Sequence, residues 1–204
     1  VLPTSIPAFK RTDPLAAEDF SHLDNPSAPA PVPEIPISPD TLNVLLTGSD
    51  TRPGFPGNRT DTIMVLSFNV DAGSVSMVSI PRDLFLYLPG HGMARINTAE
   101  GRAGTRLLAD TLRYNLGITT HHYVRINFEG FISAVDTLGG IDIMNERRIV
   151  DTCDLQPVEY PAGLQHLDGT SALCYARVRK TTSDFDRMRR QQQIIDAVFE
   201  KAVT

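Results

Sequence analysis

Arg59-Thr60-Asp61-Thr62-Ile63-Met64-Val65-Leu66-Ser67-Phe68-Asn69-Val70 sets an arginine beside a carboxylate and then runs straight into an apolar segment. Residues 62–70 read as a strand. Asn69-Val70-Asp71-Ala72-Gly73 supplies a turn, and residues 74–80 supply the next strand. Upstream, Asn43-Val44-Leu45-Leu46-Thr47 is a short apolar run stopped by Gly48, the pattern of a buried strand. Downstream, residues 104–116 read as a helix with Leu107, Leu108, Thr111, Leu112 and Asn115 on one face and Gly117 just past its end. Residues 122–127 alternate as a strand. Asn127 can cap a helix carrying Phe128, Phe131, Ile132, Val135 and Leu138, and residues 140–144 form another strand. Asp168 caps a short helix through Tyr175, and a last helix runs from about Asp186 to Ala202. Strands alternating with helices predict a layered α/β domain over residues 41–204.

Residues 1–40 are proline-rich, and Pro26-Ser27-Ala28-Pro29-Ala30-Pro31-Val32-Pro33 reads as a semi-rigid spacer or tail. Spacers of this kind join a membrane anchor to an outside domain; the alternative is a tail that wraps the domain. The chain opens on Val1 without an initiator Met, as expected for a fragment whose anchor lies elsewhere. No run of eighteen apolar residues is present. A net charge of −5 argues against nucleic-acid binding through a uniformly basic surface. The basic residues are lopsided: Lys10, Lys180 and Lys201 are the only lysines among nineteen. Arginine grips phosphate oxygens with a planar fork that never loses its proton.

The clustering of charge carries the chemistry. A second dense segment, Ser183-Asp184-Phe185-Asp186-Arg187-Met188-Arg189-Arg190-Gln191-Gln192, again runs into an apolar helix. Grouped guanidinium groups repel one another unless an anion sits among them, so a phosphate site is expected. Asp50 closes one strand and Asp61 opens the next, and paired carboxylates near phosphate suit Mg²⁺. Pro81 ends the third strand and lets Arg82 project from its tip beside Asp83. Arg177 and Arg179, two apart in an extended segment, would share a face. Arg187 and Gln191 share a helix face, with Asp184 placed to orient Arg187, while Arg189 and Arg190 read as solvated charge. Cys153 and Cys174 show no metal spacing; a disulfide and two buried thiols both fit. If they are bridged, the loop of about twenty residues stabilises by about 3 kcal/mol.

These residues resemble the LytR-CpsA-Psr family over about Asn43 to Ala202. The resemblance rests on Leu46-Thr47-Gly48-Ser49-Asp50, Arg59-Thr60-Asp61-Thr62, Ser79-Ile80-Pro81-Arg82-Asp83, Arg95-Ile96-Asn97, Val135-Asp136-Thr137-Leu138-Gly139-Gly140-Ile141, Leu167-Asp168-Gly169, Tyr175-Ala176-Arg177-Val178-Arg179 and Asp184 through Gln192. It implies an α/β/α sandwich with a central mixed sheet and a hydrophobic pocket for a polyprenyl chain, expected beside residues 104–116 and 128–138. It also implies an extracytoplasmic, membrane-anchored enzyme that transfers a glycopolymer phosphate from a polyprenyl-pyrophosphate-linked donor to a peptidoglycan hydroxyl. Residue by residue, it assigns Asp50 and Asp61 to Mg²⁺ and Arg59, Arg82, Arg95, Arg177, Arg179 and Arg187 to the pyrophosphate. Asp184 and Gln191 would support Arg187. The transfer itself needs a base for the hydroxyl, and an aspartate, Asp61 where the metal does not fully commit it, would accept that proton. Three departures stand out: Arg95 where a lysine is usual, Asp186 where a glycine is common, and Thr47 where a leucine is usual. A non-catalytic polyprenyl-phosphate or glycopolymer binding protein is the alternative.

Overall fold

The computed structural model describes residues 28–49, 60–179 and 183–203. By packing, the chain divides into two units, one of Thr4–Ile126 and one containing Asn127–Thr204.

In the first unit, β1 (Thr41–Ser49), β2 (Thr60–Asn69) and β3 (Ser74–Ser79) form the antiparallel core of a four-stranded mixed sheet. Its order is β3-β2-β1-β6, with β6 spanning His122–Asn127. Both faces of the central strands are buried: Leu45, Ile63 and Val65 on one side, Leu46, Met64 and Leu66 on the other. That explains why these segments read as near-continuous apolar runs and not as alternating ones. α1 (Ala99–Leu116) joins the first set through Leu107, Leu108 and Leu112. Each such buried side chain contributes about 1.5–3 kcal/mol.

The helix path is interrupted at Ala103 and Gly104, where Gly104 takes φ 78 and ψ −176. α1 ends at Gly117, whose φ of 67 turns the chain left-handed and returns its N–H to Arg113 and Leu112. A side chain there would strike the Pro33 carbonyl. The described part of the proline-rich segment lies against this helix end. Val32 N–H donates to the Tyr114 carbonyl at 2.8 Å, Ile35 N–H to Gly117 at 2.8 Å, and Tyr114 Oη to the Pro29 carbonyl at 2.5 Å. Glu34 pairs with Arg113 at 3.2 Å. Residues 29–35 therefore lie along the end of α1.

Two short hairpin strands escaped the sequence reading in this unit, β4 (Phe85–Leu88) and β5 (Gly92–Arg95). They are four residues each, too short for a period to declare itself. A 3-10 turn, Ile96–Thr98, connects them to α1.

In the second unit, α2 (Phe128–Thr137) is capped by the Asn127 side chain on Gly130 N–H. β7 (Ile141–Asn145) pairs with β10 (Gly163–Leu167), and β8 (Ile149–Cys153) with β9 (Gln156–Tyr160). α3 (Gly169–Arg177) is capped by Asp168, and α4 covers Asp184–Ala202. Val135, Ile141, Ile143, Ile149, Leu167, Tyr175 and Ile194 form its core. Burial, followed by the Asp168 charge and Tyr175, pushes the Tyr160 hydroxyl up to about 12, and that hydroxyl donates to the Ser171 carbonyl at 2.8 Å. α4 starts two residues earlier than its pattern suggested. Ser183 and Asp186 form a reciprocal capping box, which gives Asp186 a structural task at the position where a glycine is common.

Candidate functional site

The tip of β2 is irregular in an informative way. Gly48 faces Thr62 and Ser49 faces Thr60, so Asp61 has no opposite number. An extra residue of this kind bends the strand and re-aims its side chain. Here the Asp61 carboxylate, 41% exposed, contacts the Arg82 guanidinium through Oδ1 and NH1. Ile80 N–H still donates to the Ile63 carbonyl at 2.8 Å, after which Pro81 ends the ladder and Arg82 leaves it. Arg82 Nε lies 3.6 Å from Asp83, and Asp83 lies 3.3 Å from Arg95 at the end of β5. Charges thus alternate along Asp61, Arg82, Asp83 and Arg95. Arg82 is fixed from its backbone as well, its carbonyl accepting from Asn97 N–H at 3.2 Å. Asp50 and Arg59, expected at the metal and the pyrophosphate, lie outside the described residues.

In the second unit, Arg177 is the last residue of α3, with its guanidinium held by both Asp154 oxygens at 3.0 and 3.1 Å and seated 4.6 Å over the Phe128 ring. Asp154 sits at the two-residue turn between β8 and β9, with φ 47, and Leu155 follows with φ 69. Cys153, next to Asp154, is bridged to Cys174 of α3, with Cα atoms 5.6 Å apart. That answers the cysteine alternative in favour of the disulfide and ties the hairpin tip to the helix that presents Arg177.

The expected shared face of Arg177 and Arg179 is corrected. Arg177 belongs to the helix, and Val178, buried with ψ 135, turns the chain out of it. Arg179 extends from there with an exposed side chain, its N–H donating to Asp151 at 2.8 Å.

Arg187 is buried on α4, one turn from Asp184, whose carboxylate meets its NH2 at 2.7 Å. Gln191, expected to support Arg187, instead directs its amide to the Ala176 carbonyl at 3.4 Å. Arg190 is not the solvated charge its position suggested: it is buried, donating to the Tyr175 carbonyl at 3.1 Å and to the Val178 carbonyl. Burial lowers its pKa. It holds the end of α3 against α4, a role visible only once both helices are placed. Arg189 is exposed, 3.8 Å from Glu146.

Asp61, Arg82 and Arg95 are brought together through Asp83. Arg177, Arg179, Arg187, Asp184 and Gln191 all belong to the second unit. Among the described residues no group of three His, Cys, Asp or Glu side chains could hold a metal. Mg²⁺ needs less, taking one or two carboxylates with the remainder from phosphate and water, and a half-exposed Asp61 at a strand tip suits that donor set.

The LytR_cpsA_psr family description matches residues 8–204. The chain is 35% identical over 173 residues to the polyisoprenyl-teichoic acid–peptidoglycan teichoic acid transferase TagU of Oceanobacillus iheyensis, covering 81% of this chain and 52% of that one. It spans about half the length of the curated relatives it matches. Among solved structures, B. subtilis TagV superposes with a TM-score of 0.70 at 29% identity, covering 81% of this chain and 66% of that one. A TagT structure with bound octaprenyl pyrophosphate lipid gives 0.65 at 27% identity, covering 85% and 70%. With a match across nearly its whole length, the chain belongs to the LytR_cpsA_psr family.

Proposed function

We propose that this domain transfers a glycopolymer phosphate from a polyprenyl-pyrophosphate-linked donor to a hydroxyl of peptidoglycan. The observation that carries the reading is the Asp61 carboxylate turned by its bulge onto Arg82 at the neighbouring strand tip. Support comes from relatives named as teichoic acid transferases to peptidoglycan and from TagT with its octaprenyl pyrophosphate lipid. A soluble phosphate substrate would need no apolar slot; a polyprenyl tail does, and that slot is part of the proposal.

Phosphoryl transfer asks mainly for position and charge neutralisation. Arg82, with Arg59 and Arg95, would grip the pyrophosphate, and Arg177, Arg179 and Arg187 of the second unit would carry phosphate-binding charge of their own. Asp184 would hold Arg187 in place, as it does by ion pair here. The acceptor oxygen attacks the phosphorus that bears the glycan, and a new P–O bond forms as the bond to polyprenyl phosphate breaks. Asp61 takes the hydroxyl proton, and polyprenyl phosphate departs with the electron pair, its growing charge offset by the arginines. Asp61, with Asp50, would also hold Mg²⁺, which when bound supplies further charge neutralisation at the pyrophosphate. An extracytoplasmic site at the membrane surface, with the domain tethered near its lipid donor, fits these substrates. The Cys153–Cys174 bridge fits an oxidising compartment.

The test is release of polyprenyl phosphate by wild type and Asp61→Ala, with and without EDTA. Wild-type turnover lost in EDTA, and lost in the variant while lipid binding persists, is the expected result. Full activity in EDTA removes the metal. Tight lipid binding without turnover on any wall acceptor favours the binding-protein alternative.

A further inference from the structure

We infer that Glu100, through Thr60, is a positioning residue for Asp61; the inference rests on the reading above that Asp61 serves the transfer. Glu100 is 5% exposed, near the start of α1, where a carboxylate is costly unless well paired. Its Oε2 accepts from Thr60 Oγ1 at 2.5 Å. Its Oε1 accepts from Thr105 Oγ1 at 2.9 Å and lies 3.4 Å from Arg125 Nε on β6. One carboxylate thereby joins β2, both segments of α1 and β6.

The helix is interrupted in a way that makes this cluster. Residues five apart on an unbroken helix lie about 140° apart around its axis, too far round to share a partner. Between Glu100 and Thr105, Gly104 takes φ 78 and ψ −176, a conformation open essentially to glycine alone. The break carries the Thr105 hydroxyl back to Glu100. A glycine-dependent break, a buried charge and two hydroxyls are committed to one point, although an apolar residue would fill a core position at lower cost.

That point is the residue before the bulge. Asp61 has no ladder partner, so its direction depends on what anchors either side. On one side stands the Thr62–Gly48 pair. On the other stands Thr60, buried and paired with Ser49, with its hydroxyl on Glu100. Releasing Thr60 frees one end of the bulge, and the Asp61 carboxylate then loses its fixed approach to Arg82.

Thr60→Val removes the hydroxyl and keeps the β-branched shape that suits a strand; Thr60→Ser keeps the hydroxyl; Glu100→Gln keeps the volume and loses the charge. Transfer kinetics, thermal melting and a crystal structure of each variant form the experiment. Thr60→Val and Glu100→Gln are expected to lower kcat about tenfold, as a misplaced reacting group does, with KM for the donor changed less than about twofold. Thr60→Ser restores kcat, and the double variant Thr60→Val/Glu100→Gln is no worse than the poorer single one. A kcat unchanged in Thr60→Val, with only melting lowered, overturns the inference even if Glu100→Gln fails to fold. If wild type shows no transfer at all, the functional reading fails by itself. The crystal structure of Thr60→Val then decides the positioning claim: Asp61 still on Arg82 overturns it, and Asp61 displaced upholds it.

Discussion

Arg187 and Asp184 stand one turn apart on a single helix, whereas Asp61 near the start of one strand and Arg82 in the turn after another reach each other from twenty-one residues apart in sequence. The first pair follows from helical periodicity: residues three apart are neighbours, so it forms whenever α4 forms. The second needs two interruptions of regular structure, a bulge at Asp61 and a proline at the end of β3. Arg187 is buried while Arg82 and Asp61 are partly open to solvent. A pair made by an element's own period fixes an arginine in place. A pair made by irregularities presents its groups where an incoming anion can compete for them. Arg177 lies between these cases: its Asp154 partner sits on an exposed turn, yet the Cys153–Cys174 bridge ties that turn to the arginine's own helix.

The largest effect is expected at the irregular pair. Arg82→Ala should lower transfer by about 10²–10³-fold, the cost of losing one aligned charged donor. Melting should change little, because the side chain lies at a strand tip. Arg82→Lys should recover only part, since an ammonium cannot reproduce the planar fork. Comparable activity in all three proteins would break the contrast drawn here. Next in size is the bridge. Replacing both cysteines by alanine should reduce unfolding free energy by about 3 kcal/mol, read from denaturant midpoints, for a sequence separation of 21. Transfer should fall as well if the bridge steadies Arg177; a stability loss with unchanged turnover would confine the bridge to folding.

Legibility in the sequence followed the same division. The central strands, α2 and the start of α3 announced themselves through apolar runs and caps, because those signals are local. The helix over residues 104–116 was readable because Gly104 interrupts α1 where the reading began it. Asp184 beside Arg187 was readable from spacing alone. Glu100 was not singled out, because a carboxylate at a helix start ordinarily reads as a solvated end; its partners Thr60 and Arg125 lie 40 and 25 residues away. Arg190 was misread for a related reason: its acceptors are main-chain carbonyls, which no residue type betrays. The hairpin β4–β5 was missed because its strands are only four residues long, and β8–β9 because Pro157 and the glycine-free turn at Asp154-Leu155 disguise a strand and its reversal.

Arg190 allows the contrast to be sharpened by stability alone. Arg190→Ala leaves the buried carbonyls of Tyr175 and Val178 without their donor, so a loss of about 2 kcal/mol is expected in chemical denaturation. Arg187→Ala, on the same helix face region and equally buried, should cost turnover as well if its charge serves the proposed phosphate binding. Equal effects of the two variants on both properties would show that α4 carries only structural arginines.

The smallest expected effect belongs to a cap. Asp168 accepts from Ser171 N–H at 2.7 Å at the start of α3, the helix that ends in Arg177. That backbone bond, then the Ser171 side chain, holds its carboxyl below the ordinary carboxylate range. A depressed folded-state pKa stabilises the protein above the unfolded value of about 3.9 and loses its contribution as pH falls through the folded value. Asp168→Ala should therefore cost about 1 kcal/mol at neutral pH, and the gap from wild type should narrow steadily below about pH 4. Asp168→Asn caps without a charge and should sit close to wild type near neutrality, with little pH dependence of its own. Unfolding free energies of the three proteins from pH 7 down to about pH 2.5 make the measurement. A gap between wild type and Asp168→Ala that stays constant across that range would mean that the ionised carboxylate is not what holds the first turn of α3. The cap would then act through side-chain shape alone.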